Sequence, residues 1–293
     1  MTRKSVLLAA LVFLLSAGDL QAKPQPVTAP RVIDVMAVDY AFAVPTEIPA
    51  GWTTFRLQNR GREVHIMSLA QLPAPVELRE IRALNSAYVR DQHQLKSGSI
   101  TPEQAAERWQ EMEPSWWGDI EMQGGVGFVS PGQVGETTLY LEPGLYELTC
   151  HIKTRDGKSH FIMGMRAHIR VTGEGSATVA PTAQAKLTVS SDGLVLAGEL
   201  GRGDQLVEIH YTDSPDPLHD VHLAKLDGRD SELQAAHWMK GVQAPAPVIF
   251  LGGVGHLRGG ESGYFSASYQ PGHYMFLCQQ HPEEQLVFEI PEV

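Results

Sequence analysis

Cys150 and Cys278 are the residues whose surroundings point to chemistry. Each ends an alternating apolar segment that begins at a Pro-Gly turn, Pro143-Gly144 in one case and Pro271-Gly272 in the other. Each is followed by a histidine, His160 and His281, with His151 directly after the first cysteine. Each also has a histidine far upstream, His65 for the first and His222 for the second, with His219 three residues before the latter. Thiolate and imidazole are donors for copper, and zinc accepts the same donors tetrahedrally. A disulfide is the other use of two cysteines in an oxidising compartment. It needs Cα atoms within about 7 Å, and equivalent positions inside two separate cores lie farther apart. Without metal, the expectation is two buried free thiols.

The elements that must position these residues come in two copies. Gly124-Gly125-Val126-Gly127 recurs as Gly252-Gly253-Val254-Gly255, an offset of 128 that holds for 27 residues. Within it, Gly132, Gly135, Pro143, Gly144, Tyr146 and Cys150 match Gly260, Gly263, Pro271, Gly272, Tyr274 and Cys278, making ten identities without a gap. Upstream, Glu63-Val64-His65-Ile66 pairs with Asp220-Val221-His222-Leu223, but the first copy carries about 29 more residues between its His and its Gly-Gly pair. Alternation in Leu139, Leu141, Tyr146, Leu148 and Cys150, and again around Leu187, Val189, Val207, Ile209 and 287–290, predicts strands with one buried face. In the extra segment, Leu78, Ile81, Leu84 and Tyr88 recur at helical spacing, and Thr101-Pro102-Glu103-Gln104 has an N-cap, a first-turn Pro and a capping-box Gln. Two helices, 76–95 and 102–113, follow, their apolar stripe packed on a sheet and Trp116-Trp117 packing at a loop. The fold expectation is all-β: two tandem sandwiches at 31–173 and 186–293, joined by a Gly-, Ser-, Ala- and Thr-rich linker at 174–185, the first with a helical insertion at 76–113.

Arg3 and Lys4 precede the apolar run Val6 to Leu15, and small residues follow around Ala22, the order of a secretory signal peptide at 1–22. That run is too short to span a membrane, so the expectation is a periplasmic or secreted chain without a membrane span after cleavage. The whole chain has 23 basic and 34 acidic residues. Removing Arg3, Lys4 and Asp19 leaves 21 − 33 = −12 for the mature chain. An acidic chain with no basic run repels phosphate, which excludes nucleic acid as a partner.

The pattern resembles the cupredoxin, or type 1 blue-copper, family in two tandem copies. Asn59-Arg60-Gly61-Arg62-Glu63-Val64-His65 is similar to the family's early histidine segment, and Cys150, His160 and Met165 to its later cluster on the loop joining the last two strands. The resemblance implies Greek-key sandwiches, a mononuclear type 1 copper site and one-electron transfer. It implies His65, Cys150, His160 and Met165 as ligands in the first domain, and His222, Cys278, His281 and Gln285 in the second. The nine residues between Cys150 and His160 are more than is usual in the family, while His160-x4-Met165 has its usual spacing. Met163 is a second axial donor and His151 competes with His160. In the second copy Gln285 supplies an axial oxygen or Leu286 leaves the axis empty, and His219 replaces His222 if the strand register differs.

Three functional classes follow. The first is an exported copper-binding electron carrier, whose acidic surface steers it to a basic redox partner protein, less strongly as salt rises. The second is a copper oxidase or a nitrite-reductase-like enzyme, against which the absence of His-x-His pairs counts. The third is a metal-free adhesion or scaffold module built on the same sandwich; a separate expectation is that the second domain alone is degenerate and metal-free. The helical insertion is expected beside the first site.

Overall fold

The computed structural model describes residues 29–173, 178–212, 219–228 and 231–292. Residues 1–22, where a signal peptide is expected, and residues 174–177 of the expected linker lie outside them. In chain order the first half contains β1 (Arg31–Val38), β2 (Ala41–Ala43), β3 (Glu47–Pro49), β4 (Gly51–Asn59), β5 (His65–Leu72), α1 (Leu78–Ser97), α2 (Pro102–Met112), β6 (Glu121–Val129), β7 (Val134–Leu141), β8 (Gly144–Thr149) and β9 (Arg166–Thr172). The second half contains β10 (Ala185–Ser190), β11 (Gly193–Ala197), β12 (Gly203–Tyr211), β13 (Val221–Leu226), α3 (Ser231–Met239), β14 (Ile249–Val254), β15 (Ser262–Tyr269), β16 (Gly272–Leu277) and β17 (Gln285–Ile290). The architecture is the expected all-β one, and the short helix α3 is an addition that no periodicity announced.

Alternation makes the core. Ile33, Val35 and Ala37 of β1 and Ala185, Leu187 and Val189 of β10 are buried while their neighbours are not, the period of two that a strand imposes. In β17 the inward set is Leu286, Phe288 and Ile290, and Val287 points to solvent. Each half is a two-layer sandwich, and both layers run on through the molecule. One sheet has the order β11-β10-β12-β15-β7-β4-β1-β2, the other β17-β16-β13-β14-β6-β5-β8-β9-β3. The halves are joined edge to edge by antiparallel pairs β7–β15 and β6–β14. Val126 pairs with its repeat equivalent Val254 across that seam. Four edges, two from each half, that would otherwise present open backbone groups are thereby closed.

The repeat identities have local causes. Gly125 and Gly253 have φ of +118° and +136°, and a Cβ at either would overlap a backbone carbonyl oxygen, Met67 O in one copy and Val221 O in the other. The repeated tyrosines close the Pro-Gly turns in the same way. Tyr146 donates its hydroxyl to Glu142 O at 2.8 Å, and Tyr274 donates to Gln270 O at 2.9 Å.

The inserted helices form where the sequence places them. Thr101 accepts from the Gln104 N–H while the Gln104 side chain accepts from the Thr101 N–H, and α1 stops at Gly98, whose φ of +71° suits a left-handed C-terminal glycine. Ile81 packs with Leu72 of β5 and Leu145 of β8, flanked by Leu78 and Trp116. Farther along, Tyr88 meets Trp109 in a tilted ring contact at 5.0 Å and reaches Phe161 at 6.1 Å, the neighbour of His160. The insertion thus packs beside the loop that carries His160.

Candidate metal centre

The start of β5 and the loop leaving β8 meet at one end of the first sandwich. His65 is the first residue of β5, and Cys150 follows the last residue of β8. The loop to β9 is long because it contains a small hairpin. Lys153 bridges Ser159, the Thr154 N–H donates to Lys158 O, and Gly157 takes φ +79° at the turn. Folding out 153–159 leaves only His151 and Ile152 between Cys150 and His160 in space, and the His160 N–H donates to Ile152 O at 2.8 Å. The unusual spacing is absorbed in this way.

Three donor atoms converge there. His65 Nδ1 and His160 Nδ1 are 3.2 Å apart, and Cys150 Sγ is 3.9 Å from the first and 3.4 Å from the second. A point equidistant from the three lies about 2 Å from each, a metal–ligand distance. All three side chains are fully buried. The outer nitrogens are held by carboxylates: His65 Nε2 donates to Asp39 Oδ1 at 3.0 Å and His160 Nε2 to Glu63 Oε2 at 2.8 Å. That leaves both Nδ1 lone pairs facing inward and raises their basicity towards a cation. Asp39 is fixed by the Arg62 N–H, and Tyr40 places its ring 4.7 Å from His160 while donating its hydroxyl to Glu63 at 3.3 Å. The sequence assigns neither Asp39 nor Glu63 a role at the site, although Glu63 lies in the segment that carries His65.

Burial sets the protonation states. It pushes His65 down to about 4, helped by His160 and opposed by Asp39, and lowers His160 against the pull of Glu63. Burial pushes the Cys150 thiol up to about 12, against N–H groups of Ile66 and Ile152. Two neutral imidazoles beside a thiol that cannot ionise alone form a site completed by a cation, whose charge stabilises the thiolate. Met165 is fully buried in the core that contains Cys150, and its carbonyl accepts the Cys150 N–H, whereas Met163 is 40% exposed. His151 turns away from the cluster towards the seam, with Nε2 donating to Gln279 Oε1 at 2.9 Å. Glu63→Gln and Asp39→Asn should each weaken copper binding about 10- to 100-fold through loss of ligand orientation, measured by competition against a chelator. Unchanged affinity in both would deny the carboxylates that role.

In the second half the structure brings Cys278 together with His219 and Glu284, not with His222 and Gln285. Strand register is the reason. Ser68 pairs with Gly125 and Thr149, and His222 pairs with Gly253 and Leu277, so His222 occupies the place of Ser68. Counting back three residues, His219 occupies the place of His65. The His222 ring is engaged elsewhere: Nε2 donates to Asp220 Oδ2 at 2.9 Å, Nδ1 accepts the Phe128 N–H at 3.1 Å, and the ring stacks on Phe128 at 3.8 Å. Asp220 is held well below the usual carboxylate range; burial pulls it up, but His222, His256 and the Gln279 N–H outweigh that. Gln285 opens β17 on the exposed side, its amide pointing to Pro282 O. His219 Nδ1 lies 3.8 Å from Cys278 Sγ and 3.5 Å from Glu284 Oε2, all three donors within 4.8 Å of one another. His281 stacks on His219 at 4.6 Å, its Nδ1 3.9 Å from Glu284 Oε1. Both cysteines are buried and free, so the disulfide alternative is not formed.

The structure is similar to an auracyanin from the photosynthetic bacterium Roseiflexus castenholzii, with 14% identity and a TM-score of 0.29 over 50% of this chain and 100% of that one. It is similar to auracyanin A of Chloroflexus aurantiacus at 16% identity and a TM-score of 0.28 over 49% and 100%. A multicopper oxidase matches at 14% identity and a TM-score of 0.25 over 89% and 88%. No family model matches the chain, and no curated protein matches it.

Proposed function

We propose that this chain is an exported copper-binding protein that carries single electrons through a centre formed by His65, Cys150 and His160, with Met165 as the axial donor. The observation behind the reading is the convergence of one thiol and two inward Nδ1 atoms whose outer nitrogens are anchored to carboxylates. Copper bound there supplies one-electron chemistry, because thiolate and imidazole hold Cu(I) and Cu(II) in similar trigonal arrangements. The protein's own part is rigidity. His65 enters from a strand, His160 is pinned to Ile152 and Glu63, and the buried surroundings exclude water from the donors. The loop carrying His160, with α1 beside it through Tyr88 and Phe161, is the face offered to a redox partner protein.

Export rests on residues 1–22, and among the described residues no helix is long and apolar enough to cross a membrane. Copper loading of the metal-free chain, with absorption recorded and metal counted per chain, tests the reading. An intense thiolate-to-copper band that bleaches on reduction supports it. A colourless chain that retains zinc refutes copper, and turnover with oxygen or nitrite replaces the carrier with an enzyme.

A further inference from the structure

We propose that the second half holds a separate, solvent-open metal site made by Cys278, His219 and Glu284, with His281 at its mouth, which exchanges a borderline divalent ion, copper(II) or zinc(II), with the medium. It rests on the preceding reading only in taking thiolate and imidazole as metal donors, and it uses different residues. The first observation is a pair of orphaned atoms. Glu284 Oε2 and His219 Nε2 are buried and have no hydrogen-bond partner. The carboxylate oxygen lies 3.5 Å from His219 Nδ1 and within 4.8 Å of Cys278 Sγ. A buried acceptor without a donor costs stability, and a cation among these three atoms removes that cost at Glu284 Oε2, though not at His219 Nε2, while neutralising thiolate and carboxylate together.

The second observation is access. A cavity of about 590 Å³ opens onto this cluster, lined by His219, His281, Asp192, Glu283, Glu284 and Gln285 among others, with no Lys or Arg in its wall. Its acidic lip raises the local concentration of cations. At the first site the three donor side chains are fully buried, and the cavity beside it is lined by Asp39, Tyr40 and Glu63 among others and by none of the three donors.

The third is the donor set. Where the first site offers two imidazoles, this one offers one imidazole and a carboxylate. A hard oxygen donor favours divalent ions over Cu(I). His281, 27% exposed and stacked on His219, offers a further nitrogen on the solvent side, its Nδ1 3.9 Å from Glu284 Oε1. The two halves thus divide the work, a sealed centre in one and an exchangeable site in the other.

Cobalt(II) is a suitable probe, titrated into the metal-free full-length Cys150→Ser chain and then displaced by zinc(II) or copper(II). The expected result is one equivalent bound with a thiolate-to-cobalt charge-transfer band, which a chelator removes rapidly. Glu284→Gln in the same background should weaken binding at least about tenfold, with an unchanged circular dichroism spectrum showing that the fold persists, and Asp192→Asn should slow uptake at low salt only. Displacement by zinc(II) and by copper(II) identifies which ion is held more tightly. No thiolate band in Cys150→Ser, or equal affinity in Glu284→Gln, overturns the proposal. The Cys278→Ser chain separates the two readings. Blue colour kept there with no band in Cys150→Ser defeats this site alone, and the reverse pattern defeats the first site alone.

Discussion

Cys150→Ser should abolish the part of the copper-loaded chain's visible absorption that the first centre contributes, read as the loss of all colour in the Cys278→Ser background, while leaving the fold in place. The colour of such a centre comes from sulfur-to-copper covalency, which a hydroxyl does not supply. Sγ sits 3.4 Å and 3.9 Å from the two Nδ1 atoms, so a serine hydroxyl in the same place retains a hydrogen-bond partner. The change in size is small, and the cost should stay near 1–2 kcal/mol, roughly the cost of an ordinary buried substitution. Met165→Leu is the informative contrast. It nearly conserves volume in a fully buried position, which costs under about 1.5 kcal/mol. Loss of a weak thioether donor should preserve the colour and raise the reduction potential. Spectra and voltammetry of the two variants, with metal counted per chain, check this. Equal loss of colour in both would remove Met165 from the axial role, and an unchanged spectrum in Cys150→Ser would remove the thiolate from the site.

The metal-free chain should lose stability as pH falls from about 6.5 to about 4. Burial pushes His65 down to about 4, with His160 adding to the effect and Asp39 opposing it. Burial also pushes His151 to about 4, against its bond to Gln279. In the unfolded chain both rings titrate near 6.5. Between these values the unfolded chain binds more protons than the folded one, so stability rises with pH across the window and is complete above it. Each histidine contributes about 3 kcal/mol to the span, large against the stability of an ordinary domain. Below that window Asp220 adds a loss of its own, because its depressed carboxyl must be protonated on the way to the unfolded state. Copper at the first site occupies His65 Nδ1 and should move that part of the loss to lower pH. Denaturant melts at intervals between pH 7.5 and 4, with and without copper, measure both effects. A flat profile would mean that both rings titrate in the folded chain as they do in the unfolded one.

Residues 174–177 and the signal segment aside, much of the organisation is legible in short stretches of chain. The capping box at Thr101 and Gln104, the Pro-Gly turns closed by Tyr146 and Tyr274, and the alternation in β1 and β10 act over a few residues. Local backbone chemistry settles them. The grouping of His65 with Cys150 and His160 is legible through the resemblance to the cupredoxin family, whereas spacing alone leaves His151, directly after the cysteine, in competition with His160.

Three features depend on which distant strands meet. The first is the join of the two sandwiches into continuous sheets, since nothing within β6 or β14 specifies that their edges pair with each other. The second is the carboxylate behind each ligand, because Asp39 and Glu63 approach His65 and His160 only when the turn between β1 and β2 and the loop after β4 are folded over the end of the sandwich. The third is the choice between His219 and His222. By sequence alone, Asp220-Val221-His222 is the closer match to Glu63-Val64-His65. A shift of three residues is an odd number, and in a strand it carries a side chain to the other face. The glycines answer what the histidine motif does not: Gly125 crowds Met67 and Gly253 crowds Val221. Residue types and spacing therefore determined that each half carries one cysteine–histidine cluster. Non-local register, set by where two backbones approach too closely for any side chain, decided which histidine faces the sulfur.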